Sequence, residues 1–450
     1  MNFLVKAGIG GAAVLAAGGT VAVMASADPV TARPVAAHRT VPVDSIAALQ
    51  RAVDRAAAGD EIVLKAGSYR VDRPITVRGA RDLTVRAAQV GKVTLTGTAG
   101  FELSGTDRVT LSGFVFRQSV PVEVPASAPR TRLTRNVFRL AEGPGKNNWV
   151  SVAADDVSVD HNAFQGKRSQ GVYLQIFRDA TAMPQRTRVY ANLFADHRYA
   201  GANGGESIRL GYGAQAALVA KARIERNLFE HADGDAEALS VKSSGNTLRY
   251  NTFRSSKGWL VLRAGKNNSV YGNFLLGTSG IRVHDADNKV YGNYAGALTI
   301  GGFKSDHAPA DRLVLAYNTI VGPVTSSYTG APKGVLFADN LLKSAQVRLT
   351  TDGSWKWTAN LIDSPSVSGV PAGYLKGDAR LVRAGEIYRL TDRSPAIGRA
   401  VDATGVPAVT VDIDGQPRPA RGKDVGADEF STAAPIDTPL TAARVGPAAK

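Results

Sequence analysis

From Glu61 onward the chain carries short β-branched runs separated by small and polar residues: Ile62-Val63-Leu64, Thr76-Val77, Leu83-Thr84-Val85, Val93-Thr94-Leu95 and Val109-Thr110-Leu111. Helical periodicity is absent there, and the runs are the length of single strands. Before them, Ile46, Leu49 and Val53 share one face of a stretch that predicts a helix over Asp44 to Ala57, with Asp44 as its cap and Ala58-Gly59-Asp60 as its end. Further along, a weak V-x-x-N-x-F pattern recurs. Its asparagines are Asn136, Asn162, Asn192, Asn227, Asn251, Asn273, Asn293, Asn318, Asn340 and Asn360, at intervals of 20 to 35 residues. Each is followed within two positions by an apolar residue: Phe138, Phe164, Phe194, Phe229, Phe253, Phe274, Tyr294, Ile320, Leu342 and Ile362.

A period mostly in the low twenties, with short strands and no helices, predicts a β-solenoid whose coils stack at about 4.8 Å. Leucine-rich repeats need several leucines at fixed offsets, which these coils lack, and a propeller needs about 40 residues per blade. The expected fold is therefore all-β, a right-handed parallel β-helix whose N-terminal edge is covered by the helix at Asp44 to Ala57. Asparagine tolerates the left-handed turn conformation, and stacked amides can bond between coils. The apolar residue after it should point into the core.

The two ends read differently. Met1 to Ala27 has a charged start at Lys6, an apolar Gly/Ala-rich middle and an Ala25-Ser26-Ala27 finish, the pattern of a secretory signal. Residues 28–43 read as a linker, residues 44–430 as one β-helix domain, and residues 431–450 as a disordered Ala/Pro/Thr-rich tail. Near the end, Asp412-Ile-Asp-Gly-Gln-Pro-Arg418 and Asp424-Val-Gly-Ala-Asp-Glu429 read as a structural closing segment rather than a calcium loop.

Composition narrows the chemistry. The 450 residues include no cysteine, which excludes a disulfide scaffold, a thiol nucleophile and a Cys-based zinc site. A net charge of +15 points to a polyanionic partner. No dense basic run suggests a nucleic-acid tail, and no segment after the signal is long and apolar enough to span a membrane. Export shifts the expected partner to extracellular anionic polysaccharide, bound by a monomer.

One stretch departs from the bland coil pattern. Asn203-Gly-Gly-Glu206-Ser-Ile-Arg209, Asp233-Gly-Asp235-Ala-Glu237-Ala-Leu-Ser240-Val-Lys242 and Trp259-Leu-Val-Leu-Arg263 concentrate charge within two coils. Lys242 lies 9 residues before Asn251 and Arg263 lies 10 before Asn273, so the two should stack on neighbouring coils. Glu206 and Glu237 occupy matching places in their repeats. Oxygen donors without His or Cys suit a hard cation such as Ca²⁺. The same carboxylates could equally make turns and surface ion pairs to Lys242 and Arg263.

These motifs, with NGGESIRLG, DGDAEALSVKSS and LRAGKNNSVYGNFLLG as their text, resemble polysaccharide lyase family 6, which includes chondroitinase B and alginate lyases. The resemblance runs from about Val43 to Tyr294. It implies β-elimination in a uronate-containing polysaccharide, alginate ahead of dermatan sulfate or another chondroitin-type chain. It further implies Lys242 as base, Arg263 as acid, and Asn203, Asp235 and Glu237 as Ca²⁺ ligands with Glu206 as a further ligand. Arg209, Arg282 and Lys167 fall in similar segments and are candidates for holding substrate carboxylates or sulfates. Two positions depart from the family pattern: Asp235 stands where Glu is usual, and Ala264 stands where His commonly follows the acid Arg. A glycoside hydrolase using paired carboxylates, and a polysaccharide-binding β-helix without activity, are the competing readings.

Overall fold

The computed structural model describes residues 38–449 except 144, 146, 200–202, 305, 306 and 345. The signal-like segment 1–27 and most of the expected linker lie outside the described residues. Strands pair in parallel with their counterparts one coil later, through a sheet of 14 strands and a second of 23. The result is a parallel β-solenoid of about 13 turns, as the repeat predicts. Thr40–Val43 pairs in register with Glu61–Leu64 and so starts the first sheet, which shortens the expected linker.

The capping helix is Ile46–Asp54, shorter than predicted at both ends. Its cap is Ser45, whose side chain accepts from the Ala48 amide at 3.2 Å, not Asp44. A hydroxyl there serves as well as a carboxylate, and Ser45 has the extended backbone that the cap position needs. Leu49 and Val53 are buried against the first coil.

The repeat asparagines are not the turn residues themselves. The residue before each one takes the left-handed conformation, from Arg135 (φ 55°) through Arg226 (φ 55°) to Ala359 (φ 48°). The bend turns main-chain groups inward, and the asparagines supply their partners in the dry interior. Asn227 shows the pattern. Its Nδ2 donates to Val189 O (2.9 Å) and to Asn251 Oδ1 (3.0 Å), while its Oδ1 accepts from the Asn192 amide (3.0 Å) and from Asn192 Nδ2 (2.9 Å). One buried side chain thus joins three coils, and the ladder continues to Asn360.

Beside it runs a ladder of rings. Phe116, Phe138, Phe164, Phe194, Phe229 and Phe253 stack with centroids 5.1, 4.6, 4.7, 5.1 and 4.4 Å apart. Each stacked pair adds about 0.5–1.5 kcal/mol beyond area burial. In the next two coils the core position passes to Leu275 and Ala295, the residues in register with Phe253. Phe274 and Tyr294, expected in the core, instead pack outward against Ile387, Ile413 and Ala427.

Those partners belong to the closing segment, which folds back along the coils. Its strands Leu381–Ala384 and Ile387–Leu390 form an antiparallel hairpin. Arg418, with a fully buried side chain, donates to Asp424 O, Gly426 O and Glu429 Oε2, so the acidic motifs are cross-linked to one another. The chain then continues over earlier coils. Leu440 N donates to Thr252 Oγ1, Gly446 N donates to Ala191 O, and Arg135 donates to the carbonyls of Pro447 and Ala449. The tail expected to be disordered is therefore a strap. Leu440 and Val445 bury against Ala163, Leu193, Ala195 and Leu228, which its Ala/Pro/Thr composition conceals.

Candidate active site

The site sits on one outward face, where three strands follow one another: Ile208–Leu210, Glu237–Lys242 and Trp259–Ala264. Leu239, Val241, Leu260 and Leu262 point inward and anchor the strands. Arg209 is in register with Ser240, so Glu206 and Glu237 hold equivalent places one coil apart, as their spacing predicts. Between the second and third strands the register slips twice, and Lys242 comes to lie opposite Ala264. Arg263 is thereby the extra residue of an irregular pairing, a device that re-aims a side chain.

Two buried carboxylates organise the cations. Glu206, 2% exposed, places Oε1 3.3 Å from Lys242 Nζ and Oε2 3.6 Å from Arg209 Nη1. Glu237 Oε1 accepts from Arg263 Nη1 at 2.8 Å and from Arg282 Nη2 at 2.5 Å, and its Oε2 accepts from Ser240 Oγ at 2.5 Å. Burial alone would raise the Glu237 carboxyl, but the Ser240 bond and the charges of Arg282, Arg263 and Lys242 outweigh it and hold it below its ordinary value. Asp235 behaves oppositely. Burial, then the charge of Glu206, pushes its carboxyl up, despite amide donors at Gly204 and Glu237.

The oxygen donors fit a hard cation in one respect. Glu206 Oε2 is buried without a hydrogen-bond partner, and Asp235 lies close enough to feel its charge. Among the described residues, however, Glu206, Asp235 and Glu237 do not converge on one point; the only acidic group that does is Asp412, Asp414 and Asp428, in the closing segment. Asn203 is exposed, with its carbonyl accepting from Gln170 Nε2 at 3.2 Å, and its neighbour Gly204 is the amide bound to Asp235.

The three candidate substrate-holding cations separate. Arg282 faces outward beside Arg263. Arg209 is mostly buried, bonded through Nε to Gln175 Oε1 at 2.7 Å and packed over the Tyr212 ring at 4.6 Å. Lys167 is not in the groove. Its side chain is 0% exposed, with Nζ 2.9 Å from Ser169 Oγ, 3.6 Å from Glu142 Oε1 and 5.4 Å from the Trp149 ring centroid. Burial pulls its ammonium down to about 8, against the opposing pull of Glu142. Sequence reasoning overlooked Ser240 and Gln175, which hold Glu237 and Arg209 in place. Their signal was available: both share the outward row with Arg209.

A sequence profile described as chondroitinase B matches residues 43–340, about two thirds of the chain. The chain belongs to the chondroitinase B family. The match to the chondroitinase B family extends some coils beyond Tyr294, where the motif resemblance stops. Solved structures share the fold. The family 6 alginate lyase AlyGC, in mutant form, superposes with a TM-score of 0.68 at 22% identity, covering 83% of this chain and 60% of that one. This chain thus spans about 60% of the length of AlyGC. A family 6 alginate lyase in complex with a trisaccharide gives 0.67 at 20% identity, covering 88% and 97%. A mannuronic acid-specific family 6 lyase from human gut microbiota gives 0.65 at 24% identity, covering 76% and 91%. Among curated proteins no sequence matches.

Glu237 is the keystone of this arrangement. Glu237→Gln removes the charge between two guanidinium groups and leaves them facing each other. Breaking a buried pair in this way costs about 3–5 kcal/mol; partial exposure of both arginines puts the expected loss at the lower end. Chemical denaturation should show a lower midpoint with an unchanged slope. An unaltered midpoint would mean that Arg263 and Arg282 do not depend on this carboxylate.

Proposed function

We propose that this protein is a secreted polysaccharide lyase that cleaves alginate by β-elimination with the help of Ca²⁺. The observation that carries the reading is the pairing of the Lys242 amine and the Arg263 guanidinium on adjacent coils, each held by its own buried glutamate. Secretion rests on the signal-like pattern of Met1 to Ala27. Alginate rests on the substrates named for the solved structures that share the fold.

In this mechanism Lys242 Nζ takes the C5 proton of a uronate. The released electron pair forms the C4–C5 double bond as the C4–O glycosidic bond breaks, and the leaving oxygen takes up a proton. Arginine holds its own protons too firmly to be an efficient acid. The Arg263 role is therefore to stabilise charge on the departing oxygen, with proton delivery from it or from water. Arg282 orients the substrate carboxylate. Asn203, Asp235, Glu237 and Glu206 are the residues that would have to draw together to hold the cation. A Ca²⁺ ion held there would supply charge that neutralises the uronate carboxylate and so makes the C5 proton more acidic.

The test is a panel of alginate, its two homopolymeric blocks and dermatan sulfate, assayed with and without chelator. The expected result is ultraviolet absorbance from the new double bond on alginate, lost on thorough chelation. New reducing ends without that absorbance would identify a hydrolase. Absorbance on dermatan sulfate alone would move the substrate to the chondroitin class, and activity indifferent to chelation would remove the cation.

A further inference from the structure

One row of outward positions crosses the coils in register: Glu123, Ser151, Gln175, Arg209, Ser240, Val261, Arg282, Thr299, Thr325 and Arg348. Its charge is not uniform. At the N-terminal end stands Glu123, and a cleft of about 440 Å³ there is lined by Glu123 and Glu102. From Arg209 on, the charged positions are guanidinium groups: Arg209, Arg282 and Arg348 recur every third coil, about 14 Å apart at the usual strand spacing. Only the first two belong to the site described above. The Arg348 side chain is exposed and makes no hydrogen bond or ion pair among the described residues.

The floor between Arg282 and Arg348 is made of Thr299 and Thr325, whose hydroxyl oxygens are 3.4 Å apart. A wall rises at its edge. Beyond Gly301 and Ser327, on the same two strands, the chain turns out to Phe303 and Tyr328, 60% and 42% exposed, tied by the Phe303 amide to Thr329 O at 2.8 Å. The Tyr328 ring packs against His284 (centroids 5.4 Å apart), two residues after Arg282, and Lys304 Nζ lies 5.0 Å from its centroid. Among the described residues, these are the only large aromatic side chains substantially exposed. Aromatic faces stack on the apolar faces of sugar rings, hydroxyls bond to ring substituents, and a guanidinium takes a carboxylate in two parallel bonds.

We infer that the coils following Arg282 form a second stretch of the groove, in which Phe303, Tyr328, Thr299, Thr325 and Arg348 bind further uronate units of the same polysaccharide. The polymer therefore extends from the site toward the C-terminal coils, while Glu123 and Glu102 repel it on the N-terminal side. The inference rests on the proposed lyase function for the identity of the ligand.

The experiment compares Arg348→Glu and the Phe303→Ala/Tyr328→Ala double variant with the unaltered protein on alginate oligosaccharides of increasing length and on polymer. In the unaltered protein kcat/KM should rise with chain length. In both variants the ratio of kcat/KM on polymer to that on the shortest cleaved oligosaccharide should fall about fivefold or more, through KM. An unchanged ratio would overturn the inference, as would a loss shared equally by all lengths. If the unaltered protein cleaves none of these chains, the lyase reading fails on its own. Retardation in gels containing alginate then decides the subsite: slower migration abolished by Arg348→Glu supports it, and equal migration of the two proteins rejects it.

Discussion

Lys242→Ala is expected to lower turnover by about 10²–10⁴-fold, the usual contribution of a positioned general base, while polymer binding persists. Its amine is 13% exposed and 3.3 Å from a buried carboxylate, with two anchored guanidinium groups on the following coils. Arginine cannot replace it as base because a guanidinium does not give up its proton near neutral pH. The substitution also strips Glu206 of a partner, so stability must be measured alongside rate. Lys242→Arg separates the two effects by keeping a positive charge beside Glu206 while removing a usable base. Single-turnover absorbance with both variants, together with gel retardation on alginate, is the decisive measurement. If Lys242→Arg keeps more than about a tenth of the rate, the base lies elsewhere.

The largest effect on stability is expected from Asn227→Ala, a loss of about 3–6 kcal/mol. Truncation leaves the Asn192 amide without its partner, and removes the bonds to Val189 O, Glu225 O and Asn251 Oδ1. All of these groups lie in a dry interior, where each orphan costs about 1–3 kcal/mol. A methyl group cannot fill the space of an amide, which adds a cavity cost. The size of the loss would distinguish this position from ordinary polar-to-alanine changes, which centre near 1 kcal/mol. Denaturant titration should show a much lower midpoint. A loss below about 1 kcal/mol would mean that water enters the ladder and replaces the amide.

The coil repeat was legible because core position and turn position recur together, and a solenoid repeats its solution in every coil. Its details were less legible, for physical reasons that differ by residue. The left-handed bend falls on Arg135, Tyr250 or Tyr317 as readily as on glycine, so residue type did not mark it. Phe274 and Tyr294 look like core residues because they are large and apolar, yet register assigns the core to Leu275 and Ala295; only knowledge of the returning segment explains the difference. The charged pair Lys242 and Arg263 was visible from repeat offsets, whereas the slip that turns Arg263 out of register is a three-dimensional accommodation. Lys167 was expected to face substrate because its segment matches the family, and its side chain is instead buried beside Glu142. Ser45 rather than Asp44 caps the helix because two adjacent residues both qualify and only backbone geometry chooses between them.

The returning strap bears on how the molecule comes apart. A stack in which each coil touches only its neighbours behaves as a one-dimensional chain, and such chains fray from their ends in small steps. Here Arg135 is tied to Pro447 and Ala449, Ala191 to Gly446, Thr252 to Leu440, and Asp339 to Val401. Coils early in the sequence are thereby locked to residues 401–449. Melting should accordingly be one cooperative event rather than a progressive unzipping, because the strap couples coils that do not touch one another.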